Sequence, residues 1–408
     1  MTVSDADVSV GTAVISFAST HNTSATSFLN VYNSSISASA GTVNLTAANQ
    51  WFGSFEFENC DFDGIVFNEA NLTNIAGGVF KNGCTFANFG ATFSDGAFTS
   101  AKLTCEEGYA PFAKENDTVI IDIISKVVGI NLTLAEDISI NFFVVLNDVH
   151  EGAVMRFTVN GNVVVSEGIP TDDGRWKFVF TGIGPQAMTV PVYAELMFGG
   201  EVIYTPDSIS VKGYCDILAT MTPSELGITE EKYGELMVMV TNLLKYGSCA
   251  QIYKEYNLEN LADVDIDESL LLDFVDPNEK ATIGESSTPG MSFTGATVWF
   301  DTRNSICIRF TVTDLESTTV KVNGKEYDST HFNKVGENTY TFFTDSILPA
   351  QYMDRFVFEL CLDGETQQTA EYSIACYVSS MQNNSNESMK NLAMALYNYS
   401  MAVVNYND

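Results

Sequence analysis

The sequence predicts a mainly β protein: a parallel β-helix fragment followed by two homologous β-sandwich modules, each with a C-terminal helical hairpin. Three observations support this fold class. Similar apolar segments recur at intervals of roughly 25 residues near the N-terminus, without helical periodicity between them. Apolar and polar residues then alternate strictly, and much of this pattern recurs about 164 residues later. The predicted boundaries are 1–120 for the β-helix, 129–257 and 290–408 for the modules, and 258–289 for an acidic linker.

The composition indicates a folded, strongly acidic chain. Its 408 residues include 19 Lys and Arg against 52 Asp and Glu, a formal net charge of -33. Because 45% of the residues are hydrophobic and 12% are aromatic, the chain can build cores that a disordered acidic chain could not. The negative charge disfavours binding to the phosphate backbones of nucleic acids and to anionic membrane surfaces. No apolar run is long enough to span a bilayer. We expect no nucleic-acid partner, no membrane insertion in this chain and no cofactor, since Gly-rich phosphate loops are also absent.

Three segments of the N-terminal region resemble one another, and they predict the rungs of a β-helix. They are 31–36 (VYNSSI), 57–62 (FENCDF) and 80–86 (FKNGCTF). A single rung cannot bury its inner face, so neighbouring rungs must stack. Stacking in this register places Val31 on Phe57 and Phe57 on Phe80.

The same register brings polar and sulfur-containing residues together. Asn33, Asn59 and Asn82 are predicted to form an internal ladder of side-chain amides, with neighbours about 4.8 Å apart. Cys60 and Cys84 are predicted to lie close together in adjacent rungs. Two interpretations of this cysteine pair stay open, either buried thiols or a disulfide.

Residues 129–257 alternate apolar and polar side chains, which predicts half-buried antiparallel strands. The Asn-Gly pair at 160–161 favours a tight hairpin, because both residues tolerate positive φ. A second Asn-Gly pair stands at 323–324, and nearly the same spacing separates equivalent positions in the strands that follow. This constancy predicts a tandem duplication. The first strands depart from it, because Ile306 lies farther from its predicted counterpart, Ile138.

Both modules are predicted to end in helices. Apolar residues recur at i, i+4 and i+7 from Leu236 in the first module, and much the same spacing follows Met389 in the second. Thr222 and Thr229, each followed by acidic residues, are predicted helix starts in the first module. Residues 385–387 are the predicted helix start in the second module.

Several segments resemble a module of large secreted or cell-surface proteins of gut clostridia. They are LTLAEDISINFFVVL, MRFTVNG, YAELMF, SISVKGYCDIL and VTNLLKYGSCAQIYKEYN. The resemblance covers 129–257 and, more weakly, 291–407, where Ser400 and Met401 replace a small Gly-Ala-like pair. Segment 90–119 is similar to the closing segment of secreted β-helix proteins of anaerobic Firmicutes. The resemblance implies a module without enzymatic activity that accompanies solenoids, carbohydrate-binding parts or anchoring parts.

The composition also indicates where the protein works. Few lysines, with many Asn, Thr, Ser, Gly and Phe, are typical of exported bacterial proteins. Residues 1–20 lack the basic segment and the long apolar core of a signal peptide. We therefore expect an extracellular or cell-surface protein whose signal peptide is absent from this sequence, with further rungs before Met1.

The cysteines predict neither a zinc ribbon nor a redox motif, because none forms a C-x-x-C pair. The eight are Cys60, Cys84, Cys105, Cys215, Cys249, Cys307, Cys361 and Cys376. Four of them have no cysteine at the equivalent position of the other module, which favours buried thiols over module disulfides. For Cys215 and Cys249, predicted to lie on two helices of one module, a bridge stays open as the alternative.

No group of side chains predicts catalysis or metal binding. His21, His150 and His331 are each predicted to be isolated loop residues, so a general base would have to be a carboxylate. The predicted β-helix offers several carboxylates but few rungs and few cations, unlike the grooves of polysaccharide enzymes. These carboxylates belong to Asp61, Asp63, Glu69 and Asp95. We expect no catalytic residues and no metal ligands.

The linker is the most acidic junction of the chain. Residues 263–268 do not fit the EF-hand pattern, which leaves only non-specific Ca²⁺ binding there. Two interpretations of the linker stay open. Either its charges make the orientation of the modules depend on salt, or it packs rigidly through 270–272 and Phe274.

Trp51 and Phe52 open a predicted rung and are the one weak candidate for ligand binding, by stacking on a sugar ring. Packing or capping of the rung is the alternative. The predicted partners are glycans or surface proteins of a host or a bacterium. The predicted function is a non-catalytic extracellular module array for surface adhesion, display or glycan attachment in a gut anaerobe. The alternative is the accessory C-terminal region of a polysaccharide lyase or hydrolase of the β-helix class.

Overall fold

The structure is a computed structural model. The residues that it describes are 2–4, 7–10, 14–19, 27–47, 52–67, 78–87, 103–105, 107–114, 118–134, 137–300 and 303–407. Over these residues the protein is mainly β, with several antiparallel sheets and two helices of more than twenty residues.

The N-terminal strands pair mostly in parallel. They are β1 (Thr2–Ser4), β2 (Asp7–Val10), β3 (Val14–Ser19), β4 (Ser27–Tyr32), β5 (Ser35–Ala47), β6 (Phe52–Glu58), β7 (Asp61–Phe67), β8 (Gly78–Phe80), β9 (Thr85–Ala87), β10 (Leu103–Cys105), β11 (Tyr109–Lys114) and β12 (Thr118–Ile123). One sheet has the order β1-β4-β6-β8-β10, with parallel neighbours throughout. In the other, β2, β5, β7 and β9 are parallel, and β12 and β11 continue the sheet in antiparallel pairing.

The predicted stacking of apolar residues is confirmed at three positions. Val31 pairs with Phe57, and Phe57 pairs with Phe80, along parallel strands β4, β6 and β8. All three side chains are buried. The rings of Phe57 and Phe80 are stacked with centroids 5.3 Å apart, which adds aromatic contact to the burial of apolar surface.

The predicted asparagine ladder exists in part, but it lies at the surface. The side-chain amide of Asn59 donates to Asn33 Oδ1 at 2.8 Å, and both residues are exposed with φ of 51° and 46°. Gly83, at φ 77°, lies directly against Asn59, and a Cβ added to this glycine would be 2.9 Å from Asn59 Oδ1. Asn82 is exposed. The chain turns between two sheets here, and a turn with positive φ favours Asn and Gly.

Cys60 and Cys84 are buried free thiols, and the other six cysteines are free as well. The Cys84 thiol donates to the carbonyl oxygen of Phe57 at 3.3 Å, and the Cys60 thiol donates to that of Val31 at 3.4 Å. The neighbouring Cys60 thiol and burial together raise the pKa of Cys84. Of the two interpretations, the structure has the buried thiols.

Two antiparallel units follow, which we call the first unit (126–257) and the second unit (282–407). The first contains β13 (Lys126–Leu134), β14 (Ile138–Val145), β15 (Val154–Val159), β16 (Asn162–Glu167), β17 (Ile169–Pro170), β18 (Trp176–Ile183), β19 (Tyr193–Phe198) and β20 (Glu201–Tyr204). The second contains β21 (Thr282–Ile283), β22 (Ser292–Phe300), β23 (Asn304–Thr311), β24 (Thr318–Val322), β25 (Lys325–Tyr327), β26 (Asn333–Gly336), β27 (Thr339–Phe343), β28 (Phe356–Leu362) and β29 (Glu365–Tyr372).

The two units share one strand order. The first unit has the sheets β13-β14-β18-β17 and β16-β15-β19-β20. The second has β22-β23-β27-β26 and β25-β24-β28-β29-β21, so that each strand of the first unit has a counterpart and β21 is an addition. Inward side chains of both sheets belong to one continuous set of buried residues in each unit.

The register of the first strands differs from the predicted one. β-Bulges interrupt β13 at 127–129 and β22 at 293–295, at equivalent places in the two units. Aligning the bulges makes Ile306 the counterpart of Ile140, and the prediction that it corresponds to Ile138 was wrong by two positions. A slip of two positions keeps every side chain on its own face, so alternation alone could not detect it.

Three of the five helices among the described residues, those that begin at Pro223, Glu230 and Glu387, begin where the sequence predicted, and the other two starts were not predicted. The five are α1 (Val211–Thr220), α2 (Pro223–Leu226), α3 (Glu230–Lys254), α4 (Ile374–Met381) and α5 (Glu387–Asn407). Thr222 forms a capping box with Glu225, and Thr229 caps α3, which satisfies N–H groups of the first turn. Ser210 and Ser373 cap α1 and α4 in the same way. Within the described part of the chain, no helix has both the length and the apolar character needed to cross a membrane.

Helices α3 and α5 pack against each other and join the two units. Tyr246 of α3 and Tyr399 of α5 occupy corresponding positions, and their rings are stacked with centroids 6.0 Å apart. The Tyr246 hydroxyl donates to Asn304 Oδ1 at 3.3 Å, and the Asn304 amide donates to the Tyr352 hydroxyl oxygen at 2.6 Å. The three tyrosines are buried, so the apolar cores of the units form one body.

The exchange of Gly247 for Ser400 has a local explanation. Gly247 lies so close to its surroundings that an added Cβ would be 2.6 Å from Met188 Sδ and 3.2 Å from the carbonyl oxygen of Pro185. In the second unit, Ser400 donates its hydroxyl to the carbonyl oxygen of Pro349 at 2.6 Å. The serine thus fills the equivalent space with a buried hydrogen bond, and the helix still packs.

We expect Gly247→Ala to lower the free energy of unfolding by about 1–2 kcal/mol, because overpacking outweighs the better helix propensity of alanine. Gly234→Ala is the matched control, since no atom lies within 4 Å of its added Cβ in the same helix. This variant should be about 1 kcal/mol more stable than the wild type. Urea unfolding measures both, and equal stabilisation of the two variants would contradict the close packing at Gly247.

The predicted linker, 258–289, packs on the units. The side chain of Asn242 in α3 donates to the carbonyl oxygen of Leu270 at 3.1 Å and accepts the N–H of Leu272 at 3.2 Å. Phe274 contacts a tyrosine ring of α5 edge-on, with centroids 5.8 Å apart. These contacts correspond to the second interpretation of the linker, in which it packs through residues 270–272 and Phe274.

Candidate functional site

The weak sequence candidates fall largely outside the described residues. Trp51 lies outside them, and Phe52 is the first residue of β6. His21, Glu69 and Asp95 lie outside them as well.

His150 is not the isolated loop residue that the sequence predicted. It ends a short 3₁₀ helix, and its ring lies between Phe112 and Phe198, with centroids 5.3 and 5.2 Å away. Its Nδ1 is 2.8 Å from Ser125 Oγ. Burial lowers the pKa of His150, while the carboxylate of Asp122 acts in the opposite direction. The histidine thus packs strand β11 against the first unit.

This packing predicts a pH dependence of stability. Because the pKa of His150 is lower in the folded protein than in the unfolded chain, the unfolded chain binds more protons as the pH falls. Stability contributed by the neutral ring should be present above about pH 6.5 and decline below it. Unfolding free energies of the wild type and His150→Gln should converge between pH 7.5 and 5. His331→Gln, at an exposed histidine, is the control, and a constant difference for His150→Gln would contradict the prediction.

Acidic and histidine side chains do not gather into a metal site in the part of the chain that the structure describes, where no group of three His, Cys, Asp or Glu could hold an ion. Asp263, in the acidic junction, forms an ion pair with Lys245 at 2.8 Å. His331 lies 3.1 Å from the carboxylate of Asp328, and its ring contacts Tyr327 edge-on with centroids 5.4 Å apart.

A cavity of about 520 Å³ opens at one edge of the second unit. It lies where β22 ends one sheet and β21 and β29 end the other, beside α4. Its apolar walls come from both sheets. They are formed by Ile283, Phe293, Ala296, Ile308, Phe358 and Ala370. We call this space the edge cavity.

A small residue in β22 creates this space. The bulge aligns Ala296 with Ile130 of the first unit, and Ile130 packs on the core there. Ala296 has three fewer carbon atoms and is exposed at the mouth of the cavity. Gly295, beside it, has no side chain at all. The edge cavity therefore follows from a difference between the two units at one strand.

Strand β22 was not predicted from the sequence. Trp299 lies inside it and is 50% exposed. Its ring contacts Phe343 edge-on, with centroids 5.6 Å apart. The run of small residues at 294–297 (TGAT) was the available signal, since small side chains inside a strand leave room for another chain or a ligand.

Polar groups at the mouth of the edge cavity hold segment 276–281 in place. Ser379 of α4 donates to Asp276 Oδ1 at 2.7 Å and accepts the N–H of Glu279 at 3.0 Å. Arg355 pairs with Glu279 and approaches Glu371 at 3.4 Å. The hydrogen bond to Glu279 raises the pKa of Arg355.

The chemistry of this lining suits binding. The Ser379 hydroxyl is engaged both as donor and as acceptor, and among the described residues no histidine lines the edge cavity to serve as its base. Apolar walls with a few polar groups at the mouth are typical of sites that hold a ligand.

Two further cavities lie between the units. One, of about 550 Å³, is bounded by β13, α1 and α3 on one side and by Leu348, Pro349 and Val403 on the other. The second, of about 570 Å³, lies between α3, the packed linker and α5. Both have helix surfaces for walls, whereas the edge cavity adjoins a free strand edge.

The sequence matches no protein-family model, and no curated protein matches it.

Proposed function

We propose that this protein is a non-catalytic extracellular module array for surface adhesion, display or glycan attachment, and that the edge cavity is one of its ligand sites. The observation that carries this proposal is the lining of the edge cavity. Its volume, about 520 Å³, falls within the ~300–1,000 Å³ of ligand pockets, and its lining combines apolar side chains of both sheets with a smaller set of polar groups. Ser379, the hydroxyl at the mouth, is held by two hydrogen bonds of the protein itself.

We propose a matching architecture: a parallel β-helix fragment over 1–120 and two homologous β-sandwich modules over 129–257 and 290–408. Parallel pairing from β1 to β10 supports the first part. Equal strand orders and bulges at equivalent positions support the duplication. Serine caps at equivalent helix starts, Ser210 and Ser373, support it further.

Export-like composition and a net charge of -33 support the extracellular or cell-surface location. Exposed carboxylates keep an acidic protein soluble and disfavour non-specific adsorption to anionic surfaces. Glycans and surface proteins are the proposed partners.

The alternative function is the accessory C-terminal region of a polysaccharide lyase or hydrolase of the β-helix class. The parallel ladders of the N-terminal strands favour this candidate, because such enzymes are built on parallel strands. In that case this chain would bind the polysaccharide, and other rungs of the enzyme would catalyse its cleavage.

Arrays of glycans and of immobilised surface proteins, probed with the full chain, test the proposal together with an assay for released reducing sugar. We expect binding without sugar release. Ala296→Ile should abolish the part of the binding that uses the edge cavity, while Gly234→Ala should bind as the wild type does. Sugar release by the intact chain would overturn the non-catalytic proposal.

A further inference from the structure

We infer that the edge cavity receives an extended peptide segment of a partner protein, with alternating apolar and basic side chains, which adds as a strand to the free edge of β22. This inference rests on the proposed binding function and names its ligand class. It depends on three features of the site: an unpaired strand edge, apolar walls beside that edge, and an excess of carboxylates around the mouth.

The edge of β22 is available for pairing. In the described part of the chain, β22 pairs with β23 alone, and residues 294–297 are exposed. An edge strand presents unpaired N–H and C=O groups at every second residue. The N–H of Phe293 shows how such a group is satisfied, because it donates to the side-chain oxygen of Gln368 at 2.6 Å. Beyond Phe293 the strand continues along the mouth of the edge cavity. There the backbone of a second chain can form the hydrogen bonds that the Gln368 side chain forms at Phe293.

Gly295 and Ala296 allow close approach of that backbone. In the described part of the chain nothing lies within 4 Å of a Cβ added to Gly295, so the face of β22 is uncovered at this residue. A strand added here would lie about 4.8 Å from β22, and its side chains would point alternately to the two faces. Those on the inner face would enter between the sheets and meet Ile308, Phe358 and Ala370. Apolar side chains at alternate positions fit these walls.

The charges at the mouth of the edge cavity determine which side chains the peptide carries at its other positions. Three carboxylates line the mouth, from Asp276, Glu279 and Glu371, against one lysine, Lys280. Arg355 compensates Glu279, but Glu371 lies 3.4 Å from this guanidinium and its side chain is 45% exposed. With the net charge of -33, the field of the chain attracts cations. Lys or Arg in the peptide would therefore be attracted by these carboxylates, and acidic peptides would be repelled.

Fluorescence anisotropy with the full chain tests this inference. The probe is a labelled eight-residue peptide that alternates Leu and Lys. Two matched peptides accompany it: one with Glu in place of Lys, and one with N-methyl groups on alternate residues, which removes the N–H donors of one edge. We expect saturable binding of the Leu-Lys peptide, weaker binding of its N-methylated form, and no binding of the Leu-Glu peptide.

Variants of the site provide the second comparison. Ala296→Ile introduces the residue of the first unit and should weaken binding of the Leu-Lys peptide about tenfold by filling the cavity. Glu371→Gln should weaken it about threefold. Glu326→Gln, which removes the same charge from the distant strand β25, should bind as the wild type does. Hydrogen exchange should show new protection at 294–297 when the peptide is bound.

Equal affinity for the Leu-Lys and Leu-Glu peptides, an N-methylated peptide that binds as well, or unchanged affinity in Ala296→Ile would each overturn the inference. The glycan and surface-protein arrays separate this failure from failure of the proposed function. If an array ligand binds in an Ala296-dependent way while the peptide does not, the edge cavity remains a ligand site for another class of ligand. If neither binds, both proposals are wrong.

Discussion

Replacing Tyr399 with alanine should lower the free energy of unfolding by about 3–5 kcal/mol, which is the usual cost of deleting a large buried ring. Tyr399 is 3% exposed, and it lies against Tyr246 where α5 meets α3. Its removal leaves a cavity between two helices that both carry other contacts, so the surroundings cannot collapse fully. The buried residues of both units form one set, and the loss should therefore affect the unfolding of both.

Urea unfolding followed by circular dichroism and tyrosine fluorescence measures this loss. Tyr193→Ala is the matched control, because Tyr193 is 55% exposed and its removal should change stability by less than about 0.5 kcal/mol. A double-mutant cycle with Tyr246→Ala should give a coupling of about 0.5–1.5 kcal/mol for the stacked pair. An effect of Tyr399→Ala no larger than that of Tyr193→Ala would refute the packing of α3 on α5.

Gln251→Leu should cost about 2–4 kcal/mol, because it keeps the volume of the side chain and leaves buried backbone groups without partners. Gln251 is fully buried in α3. Its side-chain oxygen accepts the N–H of Ala262 at 2.8 Å, and its amide donates to the carbonyl oxygen of Asn260 at 2.8 Å. One side chain thus forms hydrogen bonds with the backbone of the segment that follows α3 and folds back on it.

The same unfolding measurement applies, with Gln382→Leu as the control. Gln382 is half-buried, and its amide makes one hydrogen bond, to the carbonyl oxygen of Val378. Water can replace that bond, so we expect a change within about 0.5 kcal/mol. Similar losses in the two variants would mean that the network around Gln251 carries no particular stability.

Local features of the sequence predicted the elements of this protein well. Alternation predicted the strands of both units, and the Asn-Gly pairs at 160–161 and 323–324 form hairpin turns with positive φ at both residues. Thr222 and Thr229 predicted helix starts because a side-chain oxygen can satisfy the first N–H groups of a helix without any tertiary contact. The offset between the units required only a comparison of the sequence with itself.

The candidate site was not predictable in this way. The edge cavity depends on which residue of β22 aligns with Ile130, and the alignment depends on a β-bulge. A bulge inserts one residue into the pairing, and its position is decided by the neighbouring strand. Alternation alone also does not detect a slip of two positions, so the predicted offset was two positions away, and the exposed run at 294–297 was not recognised as part of a strand.

The sequence by itself determined most of the alternating strands, the starts of α2, α3 and α5 and the apolar stacking of Val31 on Phe57, because these follow from periodicity and from bonds within a few residues. Only the tertiary structure decided which faces were covered. It put Asn33 and Asn59 at a surface turn, packed His150 between two aromatic rings and opened the edge cavity at Ala296. The physical reason is that burial is a property of pairs of distant segments, and a residue type does not say which segment will lie against it.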